Sequence, residues 1–351
     1  MIATYAKKLL GMGYDMTVVS RGPGKLKTRD QLSYLLRHRR FSRRDPNQAV
    51  YFDALGDRHL EIVRDGPLLA QDVPDGDIVI ATWWRTAFEV AALPAEKGTK
   101  VYFVQHHEVH DHLPWDLSAG SYYLPLQKIT ISLWLVEQMA QYYGDLDLPM
   151  VPNSVDTELF YAPARSLNTR PTVGFIYSPA KFKGVDVTLK AIEIVHQSFP
   201  DLRVVTFGQH DISNDLTLPD YSTFSRTPKQ EELRTIYASC DVWLSGSRAE
   251  GFGLPILEAM ACRTPVIATR TGASCDLIMD GINGYVVDIE NAEEMASRVV
   301  EILSASPSTW QKMSDAAFMT AHSYSWDDAA RAFAAELEKL HDKRQPVNSK
   351  D

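Results

Sequence analysis

No stretch of this 351-residue chain approaches the eighteen or so consecutive apolar residues that a bilayer-crossing helix needs, so a membrane span is excluded as its organising element. Cysteine is scarce. Cys240, Cys262 and Cys275 are odd in number and lack a paired metal spacing, which argues against a disulfide framework and predicts buried free thiols in a reducing compartment. Positive charge is in deficit, with 36 Lys and Arg against 45 Asp and Glu, and the net charge of -9 points away from nucleic acid as the main partner. A secretory leader pattern is not read at the start, because Lys7 and Lys8 are followed by LLGMGYDMTVVS, with glycines and an aspartate where an apolar core belongs. A cytoplasmic protein is expected. Internal repeats and low-complexity segments are lacking as well.

What the chain does have is the composition of a globular protein, 45% hydrophobic and 23% charged, and a length beyond what one core usually serves. Two domains, and hence a cleft, are expected. Short β-branched runs alternate with helical patterns: DIVIAT at 77, KVYFVQ at 100, TVGFIYS at 172, LRVVTFG at 202, DVWLS at 241 and TPVIAT at 264. This pattern predicts an α/β fold of parallel sheets covered by helices. The proline- and turn-rich segment from Asp147 to Pro171 is the linker candidate. The boundaries drawn are 1–157, 158–324 and a final helix with a frayed tail over 325–351, the helix capped by Ser325 and crossing back to the first domain.

In SRAEGFGLPILEAMA, residues 247–261, two glutamates flank a glycine turn at the end of the DVWLS strand. Ligands of open α/β sheets sit at such strand ends. Pro255 marks the helix start, which puts Glu250 in the loop and Glu258 about one turn into the helix. The glycines bare backbone N–H groups at a helix N-terminus, a setting that favours an anion, and the carboxylates on either side suit hydroxyl-bearing sugars.

The run EGFGLPILEAMACRTPVIATRTGA resembles the donor-site signature of the family 4 glycosyltransferases, which have the GT-B fold. PNSVDTELF (152–160), KFKGVDVTLKAI (181–192) and DGINGYVVD (280–288) are similar to further segments of that family. The resemblance implies two Rossmann-like domains facing a cleft and a retaining transfer of a sugar from a nucleotide-diphosphate donor. The acceptor would be a glycan, a lipid-linked or a small molecule, in surface polysaccharide or glycoconjugate synthesis. It also implies that Glu250 binds donor sugar hydroxyls and Glu258 the ribose, while the amides of Gly251, Phe252 and Gly253, with Leu254 beside them, meet sugar or diphosphate.

A departing diphosphate needs positive charge. Lys183 matches the family's lysine, but the arginine usual five residues earlier is replaced by Ser178. Lys181 could substitute in charge, though not in the planar geometry of a guanidinium. The family's active-site histidine falls on His106 or His107 in YFVQHHEVHDH, and the choice stays open. His106, His107, His110 and His112 with Glu108 also suggest a metal, but their irregular loop spacing is weak, and the implied reaction needs neither metal nor cofactor. The Asp-any-Asp triplets at 75–77 and 145–147 look like turns before strands and are rejected as metal sites. Trp83, Trp84 and Arg85 are assigned to core rather than to a sugar-stacking wall.

Arg37, Arg39, Arg40, Arg43 and Arg44 lie beside Tyr34, Leu35, Leu36 and Phe41, which suggests contact with anionic lipid or a lipid-diphosphate acceptor at the inner face of a membrane. A solvated helix face is the competing reading. IATYAKKLLGMGYDMTVVS resembles the family's first helix and second strand, so the first strand and glycine loop are expected upstream. Either a longer natural start exists or this form binds nucleotide with weak or no transfer. Two other functions use the same fold: a sugar-nucleotide epimerase, and a non-catalytic nucleotide-sugar-binding subunit.

Overall fold

The computed structural model describes residues 1–21, 52–62, 66–110 and 113–342. It divides into two compact units, one of Met1–Tyr102, Leu124–Gln127 and Ala330–Asp351, the other of Phe103–Tyr123 and Lys128–Ala329.

In the first unit, strand β1 (Val18–Arg21) pairs in parallel with β2 (His59–Ile62), and β3 (Ile78–Ala81) with β4 (Thr99–Phe103) from Ile78↔Thr99 to Ala81↔Tyr102; a short strand β5 (Gln127–Ile129) follows in the chain. The helix Ile2–Gly11 buries Tyr5, Ala6 and Leu9. The Tyr5 ring packs 4.9 Å from Phe333 of the last helix, Trp326–Asp342, and the Tyr14 hydroxyl donates to Glu338 at 2.5 Å. At the head of that last helix, the Ser325 hydroxyl accepts from the Asp328 amide at 3.2 Å.

Two expectations are corrected. Trp83 is 40% exposed, and Arg85 is exposed too. Trp83 occupies the extended N-cap of the helix Trp84–Ala92, where the Thr86 hydroxyl takes its amide at 3.1 Å and holds the residue outside the packed helix face. Cys240 and Cys262 are buried thiols, but Cys275 is exposed in the short surface helix Ser274–Leu277.

The second unit contains a six-stranded parallel sheet built from β6 (Thr172–Ile176), β7 (Arg203–Gly208), β8 (Ser222–Arg226), β9 (Val242–Ser245), β10 (Val266–Thr269) and β11 (Gly284–Val287). Its order is β11-β10-β9-β6-β7-β8, the 3-2-1-4-5-6 arrangement of a doubly wound sheet. The near-continuous apolar strands fit a sheet covered on both faces. Val173, Phe175, Val242, Leu244 and Ile267 pack with Ala191, Ile192 and Val195 of the helix Val185–Ser198 and with Val299 of the helix Ala292–Leu303. Each larger aliphatic or aromatic side chain buried here contributes about 1.5–3 kcal/mol.

The strand order reverses between β6 and β9, so the loops leaving their carboxyl ends lie side by side. A Cβ on Gly184 would stand 1.8 Å from the Gly246 carbonyl oxygen, and Gly184 has φ 55°. The Arg248 amide donates across to the Phe182 carbonyl at 2.7 Å. Gly184→Ala therefore combines left-handed strain with overlap, and should lower stability by about 2 kcal/mol or more. The check is a urea denaturation midpoint that falls at unchanged slope. A midpoint equal to wild type would show that the loops have room between them.

Candidate active site

Strand β9 runs into the loop 246–253 and then the helix Leu254–Ala261, with Gly253 at the N-cap (φ 88°) and Pro255 in the first turn. Leu254 opens this helix, and Phe252 beside it is buried. Gly251 is fixed from another direction: a Cβ there would lie 1.8 Å from the carbonyl oxygen of Gln105, in the segment following β4. Ser132 donates to the Gly251 carbonyl at 2.7 Å while its hydroxyl caps the helix Leu133–Tyr143. Among the described residues, no hydrogen bond engages the amides of Gly251, Phe252 and Gly253.

Lys183 ends the tight turn Lys181–Lys183 after β6, and its Nζ lies 2.7 Å from Glu250 Oε1. Ser247 donates to the same oxygen at 2.7 Å. Lys183, Glu250, Gly253 and Pro255 line a cavity together with Thr188 and Trp243. The Lys183 ammonium also stands 5.3 Å from the centre of the Phe182 ring, on which His110 stacks at 4.5 Å and His106 packs edge-on at 5.7 Å.

The two candidate histidines part company. His106 Nε2 is buried without a hydrogen-bond partner among the described residues, and its Nδ1 lies 3.1 Å from the His107 carbonyl. Burial pulls its pKa down, Glu250 opposes this and Lys183 adds to the depression, so the imidazole is neutral beside the Lys183–Glu250 pair. His107 belongs to an aromatic cluster instead. Its Nε2 meets the Tyr143 hydroxyl at 2.8 Å, its ring stacks with Tyr142, and Tyr122 and Trp134 close around it. Burial, then His106, push its pKa down to about 4. Tyr122 links the two environments: its hydroxyl donates to the His106 carbonyl and accepts from the Glu108 amide, each at 2.9 Å.

Glu258 sits on the helix Leu254–Ala261, where its Oε2 accepts from the Tyr237 hydroxyl at 2.7 Å and burial raises its pKa. Ser178 forms a local turn, accepting from the Ala180 amide at 3.3 Å. Lys181 is exposed, and its carbonyl rather than its ammonium is engaged, by Arg248. Sequence reasoning missed Arg248, which forks onto Asp186 and reaches Glu290; nothing in a lone arginine within SRAEGFG signals such partners. His112 and the arginines from 37 to 44 fall outside the described residues. Among the described residues, no group of three or more His, Cys, Asp or Glu side chains is placed to hold a metal ion.

Residues 170–305 match the family described as Glycosyl transferases group 1. The likeness to that family lies in this segment. The chain is 32% identical over 226 residues to D-inositol 3-phosphate glycosyltransferase of an Arthrobacter species, covering 58% of this chain and 52% of that protein. It is 30% identical over 180 residues to the GDP-mannose-dependent alpha-(1-6)-phosphatidylinositol monomannoside mannosyltransferase of Mycolicibacterium smegmatis, covering 45% of this chain and 47% of that one. The chain thus spans about half the length of these curated relatives. Among solved structures, sucrose-phosphate synthase of Thermosynechococcus elongatus superposes with a TM-score of 0.72 at 16% identity, covering 97% of this chain and 93% of that one. Anabaena HepE, solved with UDP and glucose, gives a TM-score of 0.70 at 16% identity, with 92% and 100% covered. The fold is GT-B.

The His107 environment has a pH signature. Its folded pKa lies at about 4, below the ordinary 6.5, so on acidification the unfolded chain takes the proton first. The stabilisation is full above 6.5 and is lost as pH falls towards 4. His107→Gln should flatten the curve of thermal midpoint against pH within that window. Parallel curves for variant and wild type would place the proton elsewhere.

Proposed function

We propose that the protein is a retaining glycosyltransferase that moves a sugar from a nucleotide-diphosphate sugar to a glycan, lipid-linked or small-molecule acceptor. The observation that carries this reading is the Lys183–Glu250 pair at the switch point, beside the unengaged amides of residues 251–253. The family match of residues 170–305 supports the transferase class, and the UDP and glucose held by HepE support a sugar-nucleotide donor.

Lys183 stabilises the negative charge that grows on the departing diphosphate, and the Gly251–Gly253 amides share that task without side-chain entropy to lose. Glu250 accepts from hydroxyls of the donor sugar, exchanging its contact with Lys183 for them. The neutral His106 offers Nε2 to the sugar or the incoming acceptor hydroxyl. Glu258 takes the ribose hydroxyls. Ser178 leaves the diphosphate without a second side-chain cation at that position.

Glu258→Ala should weaken nucleotide binding by roughly tenfold, the loss of about one charged hydrogen bond. Lys183→Ala and Glu250→Ala should lower turnover by roughly 10- to 100-fold with smaller effects on donor KM, because those contacts strengthen as the diphosphate leaves. A thermal-shift screen of nucleotide diphosphates and nucleotide sugars comes first: a ligand at a hundred times its Kd adds about 2.7 kcal/mol of stability. Product analysis with the best donor then separates glycoside formation from isomerised donor or binding alone. A Lys183→Ala variant that keeps transfer within about twofold would remove the lysine from the reaction.

A further inference from the structure

Arg248 lies two residues before Glu250, and all five of its guanidinium N–H groups are committed. Nη1 donates to the Lys181 carbonyl at 2.6 Å and to Asp186 Oδ1 at 2.9 Å. Nη2 donates to Asp186 Oδ2 at 2.6 Å and to Glu290 Oε2 at 3.1 Å, and Nε donates to the other Glu290 oxygen. The Arg248 amide adds a bond to the Phe182 carbonyl at 2.7 Å. One residue therefore grips the backbone two and one positions before Lys183 and the side chain three positions after it. It also ties in the loop after β11, where Glu290 holds a left-handed φ of 65° that a non-glycine residue keeps only when its surroundings fix it. The carboxyl of Asp186 is held below the ordinary range chiefly by its hydrogen bonds to Arg248.

We propose that Arg248 is a positioning residue: a fork-shaped latch across three strand-end loops that sets Lys183 opposite Glu250 and so determines how well the site takes the terminal phosphate of a nucleoside diphosphate. This rests on the donor-site reading above. With every donor used within the protein, Arg248 does not itself contact the ligand; it acts through the turn that carries Lys183. Lysine is no substitute, since a point charge cannot span two carboxylates and a carbonyl in one plane.

The test compares the affinity for a nucleoside diphosphate with that for its monophosphate, using UDP against UMP, GDP against GMP and ADP against AMP by calorimetry. The wild type, Arg248→Lys, Arg248→Ala, Asp186→Asn and, as reference, Lys183→Ala are each measured. Arg248→Ala and Asp186→Asn should cut the diphosphate-over-monophosphate preference at least threefold, towards that of Lys183→Ala, while monophosphate affinity stays within twofold. Arg248→Lys should recover little of it. Equal weakening of both ligands, or an unchanged preference, overturns the latch while leaving the donor site standing. Wild-type protein that binds none of the six nucleotides overturns the donor-site reading, and the latch with it.

Discussion

The site depends on one steric fact, the approach of two loops at the point where the sheet reverses its strand order. Gly184 and Gly246 leave no room for a Cβ between them, and that contact sets the spacing of everything their loops carry. At this spacing Lys183 and Glu250 reach one another at 2.7 Å. The pairing matters electrostatically. An opposite charge alongside offsets part of the desolvation that a lone ammonium or carboxylate meets on leaving water. A ligand bearing hydroxyls at one end and phosphate at the other can replace both halves of that pair at once.

The histidine segment shows how finely the chain divides its roles. His106 and His107 are adjacent, yet their rings enter different surroundings. One ring faces Phe182 and the Lys183–Glu250 pair, and the other enters the cluster of Tyr122, Trp134, Tyr142 and Tyr143. The cluster anchors the segment, and the Tyr122 hydroxyl bridges the main chain on both sides of His107. A neutral histidine can thus be held with one nitrogen uncommitted because its neighbour bears the packing.

Much of this was legible in the sequence for a physical reason. Parallel strands read as apolar runs, and the loop 246–253 announces itself through glycines and an N1-region proline, both of which report backbone geometry directly. What was not legible depends on partners distant in sequence. The surroundings of His106 and His107 depend on Phe182 and Tyr143, and the contacts of Arg248 on Asp186, 62 positions away, and Glu290, 42 away. Trp83 and Cys275 were misassigned because an apolar side chain or thiol carries no record of whether a helix end or a surface turn will lift it out of the core.

Under the proposed function, Ser178 in place of the arginine that the family resemblance implies shapes the balance of charge in the site. Ser178 is spent on a turn, Lys181 points its positive charge to solvent, and Arg248 has every N–H engaged within the protein. Among the described residues lining the cavity, positive charge therefore comes from Lys183, supplemented by the backbone of residues 251–253 and the N-terminus of the helix Leu254–Ala261. Backbone donors are fixed before a ligand arrives and need no reorganisation, which suits an anion whose charge grows during reaction. They do not supply a full unit of charge, however, so under the proposed function the lysine would carry a larger share than in a site with two cations. That asymmetry explains why so much structure converges on placing it: a left-handed glycine after it, two backbone bonds to Phe182 before it, and an arginine fork whose anchors fall on both sides.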